Sequence, residues 1–129
     1  MRKVVISSGA PRPIGAYSQA VVAGGMLYTA GQIGIDPASG ELVPGAGAQT
    51  RRAMENIRSI LEEAGTGLDL AVKVSIYITD MSDFAVVNEV FSELMEEPWP
   101  ARSVVEVSAL PKGALVEIEA VAQIKEDHR

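Results

Sequence analysis

From Leu115 to Ile124 the chain alternates with a regularity that few architectures can use. Val116, Ile118, Ala120, Ala122 and Ile124 fall on one side of an extended backbone, and Leu115, Glu117, Glu119, Val121 and Gln123 on the other. One face of this strand is wholly apolar and has to be covered. The other mixes carboxylates with aliphatic groups. Two segments can supply the cover. From about Gly47 to Ala64, the residues Ala53, Met54, Ile57, Ile60, Leu61 and Ala64 recur at helical spacing, with Gly65 as the stop. A second stripe, Phe84, Val87, Phe91, Leu94 and Met95, follows Ser82, a candidate N-cap, and Asp83, which suits the positive end of a helix dipole. It ends before Pro98. Each helix carries a single apolar stripe, so both belong on the same face of one sheet.

The remaining strands are shorter. Val4–Ile6 is the first, and the two prolines and two glycines of Gly9–Gly15 then break any regular structure. Tyr17–Ala23 and Met26–Ala30 flank Gly24-Gly25, a hairpin signal. Ala71–Thr79 alternates Val72, Val74, Ile76 and Ile78 with polar residues, and Arg102–Val107 precedes the loop Ser108–Gly113. The order is β-β-β-α-β-α-β-β, an α+β fold with a mixed six-stranded sheet and two helices on one face. Residues 1–129 form one domain, with a polar tail from 125. In the strand Arg102–Val107 the set Arg102, Val104 and Glu106 is assigned to the uncovered face beside Glu117 and Glu119. A face that mixes charges with Val104, Leu115 and Val121 suits an oligomer interface containing a polar pocket.

Composition removes several chemistries. There is no cysteine, and the one histidine, His128, is penultimate. A thiol nucleophile, a thiolate metal site, a histidine zinc site and a Ser-His-Asp triad are therefore excluded within one chain. The net charge of −6, with Arg51-Arg52 as the only adjacent basic pair past the N-terminus, opposes nucleic-acid binding. No apolar run approaches a signal h-region or a membrane span, so the expected address is the cytoplasm, without membrane contact. Gly9–Gly15 lacks the Gly-Lys-Ser/Thr ending of a phosphate loop. Glu117 and Glu119 share one strand with an arginine expected nearby, which argues against a metal or glycosidase pair.

Taken together, Pro13-Ile14-Gly15-Ala16-Tyr17-Ser18-Gln19-Ala20, Gly31-Gln32-Ile33, Asn88, Pro100–Val107, Leu110-Pro111-Lys112-Gly113 and Val116–Ala122 closely resemble the signature of the Rid (reactive intermediate deaminase, YjgF) family. The likeness runs in order over nearly the whole chain. It implies a chorismate-mutase-like fold and a homotrimer with clefts between subunits. It also implies cofactor-independent hydrolysis of reactive enamines and imines released by pyridoxal-phosphate enzymes. These are 2-aminoacrylate (2-iminopropanoate) and 2-iminobutanoate, converted to 2-keto acids and ammonia with no metal. By resemblance Arg102 grips the substrate carboxylate, a role that guanidinium geometry suits. Glu117 handles the proton and the water. Tyr17 closes the pocket, Asn88 positions its neighbours, and backbone groups around Gly31 and Val104 hold substrate or water. Two positions depart from the archetype, Ala30 in place of a serine and Val104 in place of a cysteine; the first loses a hydrogen bond worth about 0.5–1.5 kcal/mol.

Plainer readings of the same residues stand beside these. Arg102 could pair with Glu117 or Glu119 across an interface. Tyr17 could be an ordinary strand aromatic, Asn88 a helix-surface residue, and Gly31 a glycine at a strand end. Two other functions also stand: a non-catalytic module that binds small keto or amino acids, and an endoribonuclease or translation inhibitor. The acidic charge and the lack of basic grooves speak against the last.

Overall fold

The computed structural model describes residues 2–125, so His128 and most of the polar tail lie outside the described residues. Seven strands and two helices occur among the described residues: β1 (Lys3–Val5), β2 (Ala20–Ala23), β3 (Met26–Thr29), β4 (Gln32–Ile33), α1 (Ala46–Glu63), β5 (Ala71–Ile78), α2 (Phe84–Leu94), β6 (Ala101–Glu106) and β7 (Val116–Gln123). They form one mixed sheet in the order β1-β2-β3-β7-β5-β6, with β4 continuing the β3 edge of β7. All pairings are antiparallel except β5 with β6, which α2 joins as a parallel βαβ unit.

The strand with the strictest alternation sits inside the sheet, with β5 on one side and β3 and β4 on the other. Its residues Val116, Ile118, Ala120 and Ala122 are at most 3% exposed and pack under α1, whose Met54, Ile57, Ile60 and Leu61 are equally buried. α1 ends as its sequence requires. Gly65 takes φ 80°, Gly65 N–H donates to the Glu62 carbonyl and Thr66 N–H to that of Leu61, which is a Schellman motif. The β2–β3 hairpin turns on Gly24 and Gly25, both at positive φ, as a two-residue turn of this hand demands.

The sheet has seven strands where six were expected, because Gln32–Ile33 pairs with β7 as a strand of its own ahead of α1, and four local expectations also change. Ser82 is not the cap: Asp80 accepts from Ser82 N–H at 2.9 Å, in a 3-10 turn that leads into α2. Val72 has core parity, yet the register slips between Ala71 and Lys73, and a bulge leaves it 43% exposed. Residues 17–19 lie outside β2 because the Gln19 side chain is committed to the preceding loop. The fourth change is the face of β6. Its pairing with β5 sets Arg102 opposite Val74 and Val104 opposite Ile76, both buried. Residues in register share a face, so Arg102 and Val104 lie on the helix-covered side, and Ser103 and Val105 on the open side. The expectation that Arg102 and Val104 share the open face with Glu117 is therefore corrected. Alternation in Arg-Ser-Val-Val-Glu is too weak to orient the strand; its parallel partner does so.

Candidate active site

Glu117 projects from the middle of β7 onto the open face, in register with Tyr77 on one side and Ile33 on the other. It is half-buried, and burial, followed by the charge of Glu119 two residues along the same face, holds its pKa above the ordinary carboxyl value. The two acids differ in their company. Glu119 accepts a hydrogen bond from the Tyr77 hydroxyl at 3.0 Å, whereas Glu117 lies against the backbone of Gly31.

The Ala30-Gly31 step makes that approach possible. Between the pairs Tyr28–Val121 and Gln32–Ile118 the β3–β4 edge carries one more residue than β7, so the chain bulges there. The bulge is tied down on both sides: Ala30 N–H donates to the Gln19 carbonyl at 2.8 Å, and Ala120 N–H donates to Thr29 Oγ1 at 2.9 Å. A methyl group at Gly31 would lie 2.7 Å from Cδ and 2.8 Å from Oε2 of Glu117. Gly31 is the residue that leaves space for the carboxyl.

A cavity of about 540 Å³ opens in front of Glu117, lined by Pro11, Arg12, Ile14 and Tyr17, by Gly31–Ile33, and by Pro111 and Lys112. Its outer wall is the irregular Gly9–Gly15 segment. Gln19, 1% exposed, anchors the start of that wall: its Oε1 accepts from Ser7 N–H at 2.6 Å, while its Nε2 donates to the carbonyls of Ser7 (3.1 Å) and Pro11 (2.9 Å). The Tyr17 hydroxyl accepts from Ile14 N–H at 3.3 Å and so folds the wall back on itself. Gln19 and Lys112 stand in stretches that carry the family resemblance, but neither they nor Arg12 had a role assigned from the sequence. A glutamine beside the apolar Ala20-Val21-Val22-Ala23 is the sign of a buried polar role that the residues themselves offer for Gln19.

Arg102 and Asn88 lie elsewhere, in a second cavity of about 470 Å³ lined also by Phe91, Ser92, Trp99 and Pro100. Arg102 Nη1 donates to Asn88 Oδ1 at 2.8 Å, and its guanidinium lies 5.0 Å from the Phe91 ring centre and 5.9 Å from that of Phe84. Among the described residues Arg102 forms no ion pair. Its charge is oriented by neutral groups and left without a carboxylate. Val104 packs, partly buried, against the core. One chain therefore brings Glu117, Tyr17 and Gly31 together, and Arg102 and Asn88 together, but keeps the two groups on opposite faces of the sheet. The pairing of Arg102 with Glu117 or Glu119 does not form within a chain.

A family model described as Endoribonuclease L-PSP matches residues 7–124. A RutC family protein of Pyrococcus horikoshii is 54% identical over 95% of this chain and 98% of its own length. The 2-iminobutanoate/2-iminopropanoate deaminase of Rattus norvegicus is 46% identical over 95% of this chain and 90% of its own. The crystal structure of RidA from an Antarctic Psychrobacter matches with a TM-score of 0.92 at 48% identity, covering 95% of this chain and 99% of that one.

Proposed function

Since the chain belongs to the RidA/YjgF/L-PSP family, we propose that it is a hydrolytic deaminase of small 2-imino and 2-enamino acids, acting as a homotrimer. The observation that carries this reading is Glu117, a half-buried carboxyl of raised pKa at the floor of a cavity, held against Gly31. Burial that favours the neutral carboxyl moves its titration upward, toward the range in which one group can both give and accept a proton.

Each chain presents two incomplete halves. The Glu117 cavity lacks Arg102, and the Arg102 cavity lacks an acid. Tyr28 and Val105, 45% and 47% exposed, lie on the uncovered sheet face and favour its burial against another copy. Arg102 of one protomer then faces Glu117 of the next. Its guanidinium, steadied by Asn88 and Phe91, grips the substrate carboxylate with the donors that Asn88 does not use. Protonated Glu117 gives its proton to the imine nitrogen, or to the terminal carbon of an enamine. The resulting carboxylate draws a proton from water as the oxygen bonds to the electrophilic carbon. The carbinolamine then collapses: Glu117 gives its proton to the amino nitrogen and takes the hydroxyl proton in return, the C–N bond breaks as the C=O bond forms, ammonia leaves, and the 2-keto acid is released. Water is consumed, and Glu117 ends as it began.

The test couples the protein to a pyridoxal-phosphate dehydratase and follows decay of the released imine. Faster keto-acid formation with the wild type, reduced about a hundredfold or more in Arg102→Ala and in Glu117→Ala, is the expected result. No acceleration by the folded oligomer over several imino acids would replace the enzyme with a module that binds such acids without turnover.

A further inference from the structure

The Glu117 cavity carries more positive charge than the proposed reaction uses. Arg12 and Lys112 line it from two different segments, against the single carboxyl of Glu117, in a chain whose net charge is −6. Neither cation forms an ion pair among the described residues.

Their backbones are fixed. Lys112 is the only non-glycine residue with positive φ among the described residues (φ 57°, ψ 23°), a conformation that most side chains disfavour and that is enriched at functional sites. The turn that imposes it is closed by Gly113 N–H to the Leu110 carbonyl and Ala114 N–H to that of Pro111, and Leu115 N–H donates to the buried Gln49 Oε1 at 2.7 Å. Arg12 sits between two prolines and directly follows the Pro11 carbonyl that Gln19 holds. The cavity, at about 540 Å³, falls in the size range of pockets for ligands well beyond three or four carbons.

We propose that Arg12 and Lys112 form a second anion subsite in the Glu117 cavity, so that the protein prefers 2-imino acids, and their 2-keto products, that carry a distal carboxylate. The inference rests on the deaminase reading for its imino substrates. Arg102 of the neighbouring protomer takes the α-carboxylate there, which leaves these two cations for the other end of a dicarboxylate.

Calorimetric binding of 2-oxoglutarate and of 2-oxopentanoate, which match in chain length and differ in the distal charge, tests it without turnover. The assembled wild type binds 2-oxoglutarate about five- to tenfold more tightly at low salt, and the margin shrinks as ionic strength rises. The double variant Arg12→Gln/Lys112→Asn loses the margin; asparagine tolerates the left-handed backbone, so the turn is kept. Lys112→Arg alone keeps it. Equal affinities in the wild type, or a margin that survives in the double variant, would overturn the subsite. If the margin is present but no imino acid is hydrolysed, the subsite stands and the deaminase reading fails. Turnover of 2-iminobutanoate with no margin removes the subsite alone.

Discussion

Glu117 and Glu119 are two residues apart on one face of β7, and strand alternation alone gives no reason to prefer either as the acid. The register separates them. Glu119 is committed to Tyr77, while Glu117 faces the bulge at Gly31 and the cavity. A raised pKa in the folded chain means that, between the ordinary carboxyl value of 4.5 and the folded one, the native state binds more protons than the unfolded state. Stability therefore falls as pH rises through that window, and the penalty is fully present above it. Glu117→Gln is expected to raise the Tm at pH 7 relative to wild type, with the difference vanishing below about pH 4, where both forms are neutral. A lower Tm for the variant at pH 7 would mean that Arg102 of the neighbouring protomer, or Arg12 or Lys112, pairs directly with the carboxylate in the absence of ligand and outweighs its burial. Gly31→Ala pushes against the movable end of that carboxyl and not against backbone. Its expected signature is a kcat/KM reduced about tenfold or more with a Tm within a few degrees of wild type. Full activity in this variant would show that the position of the carboxyl does not matter.

At the level of elements, the helices and most strands were legible to within a residue or two, because apolar period and packing agree in α1, α2 and β7. Legibility fails where a partner supplies the information. β4 is two residues long and exists through its pairing with β7, and the faces of β6 follow from β5. The cavity wall is the clearest case, since no periodicity describes residues 7–17. One buried side chain organises its beginning instead. Replacing Gln19 by leucine keeps the volume but leaves Ser7 N–H and the carbonyls of Ser7 and Pro11 without their partner. The expected cost is about 2–3 kcal/mol, seen as a Tm lower by roughly 6–12 °C. KM should rise as well, because Arg12, Ile14 and Tyr17 lose a fixed anchor. A Tm unchanged by Gln19→Leu would show that water replaces the amide and that the wall is held by Tyr17 and the prolines.

On the scale of the molecule, the two half-sites make a demand that no single chain meets. Arg102 shares the covered face with Val74, and Glu117 shares the open face with Tyr77, so no side-chain rotation brings them to one ligand. The sequence named both residues but could not show this, because strand parity is defined only relative to a paired neighbour. If Arg102 of one protomer completes the Glu117 cavity of the next, two inactive variants must rescue each other. Arg102→Ala retains Glu117, and Glu117→Ala retains Arg102. In a randomly mixed ring formed from equal amounts, a site is intact when one protomer is of the first kind and the neighbour that faces its Glu117 cavity is of the second, so about a quarter of all sites carry both groups. Co-refolding or co-expression of the two variants should therefore restore about a quarter of wild-type activity, while each variant alone, or the two mixed without subunit exchange, stays inactive. Activity that remains absent after demonstrated exchange would mean that both groups act from one chain, or that one of them does not act on the substrate. Restoration near a quarter ties the catalytic acid, the carboxylate grip and the assembly to a single geometry.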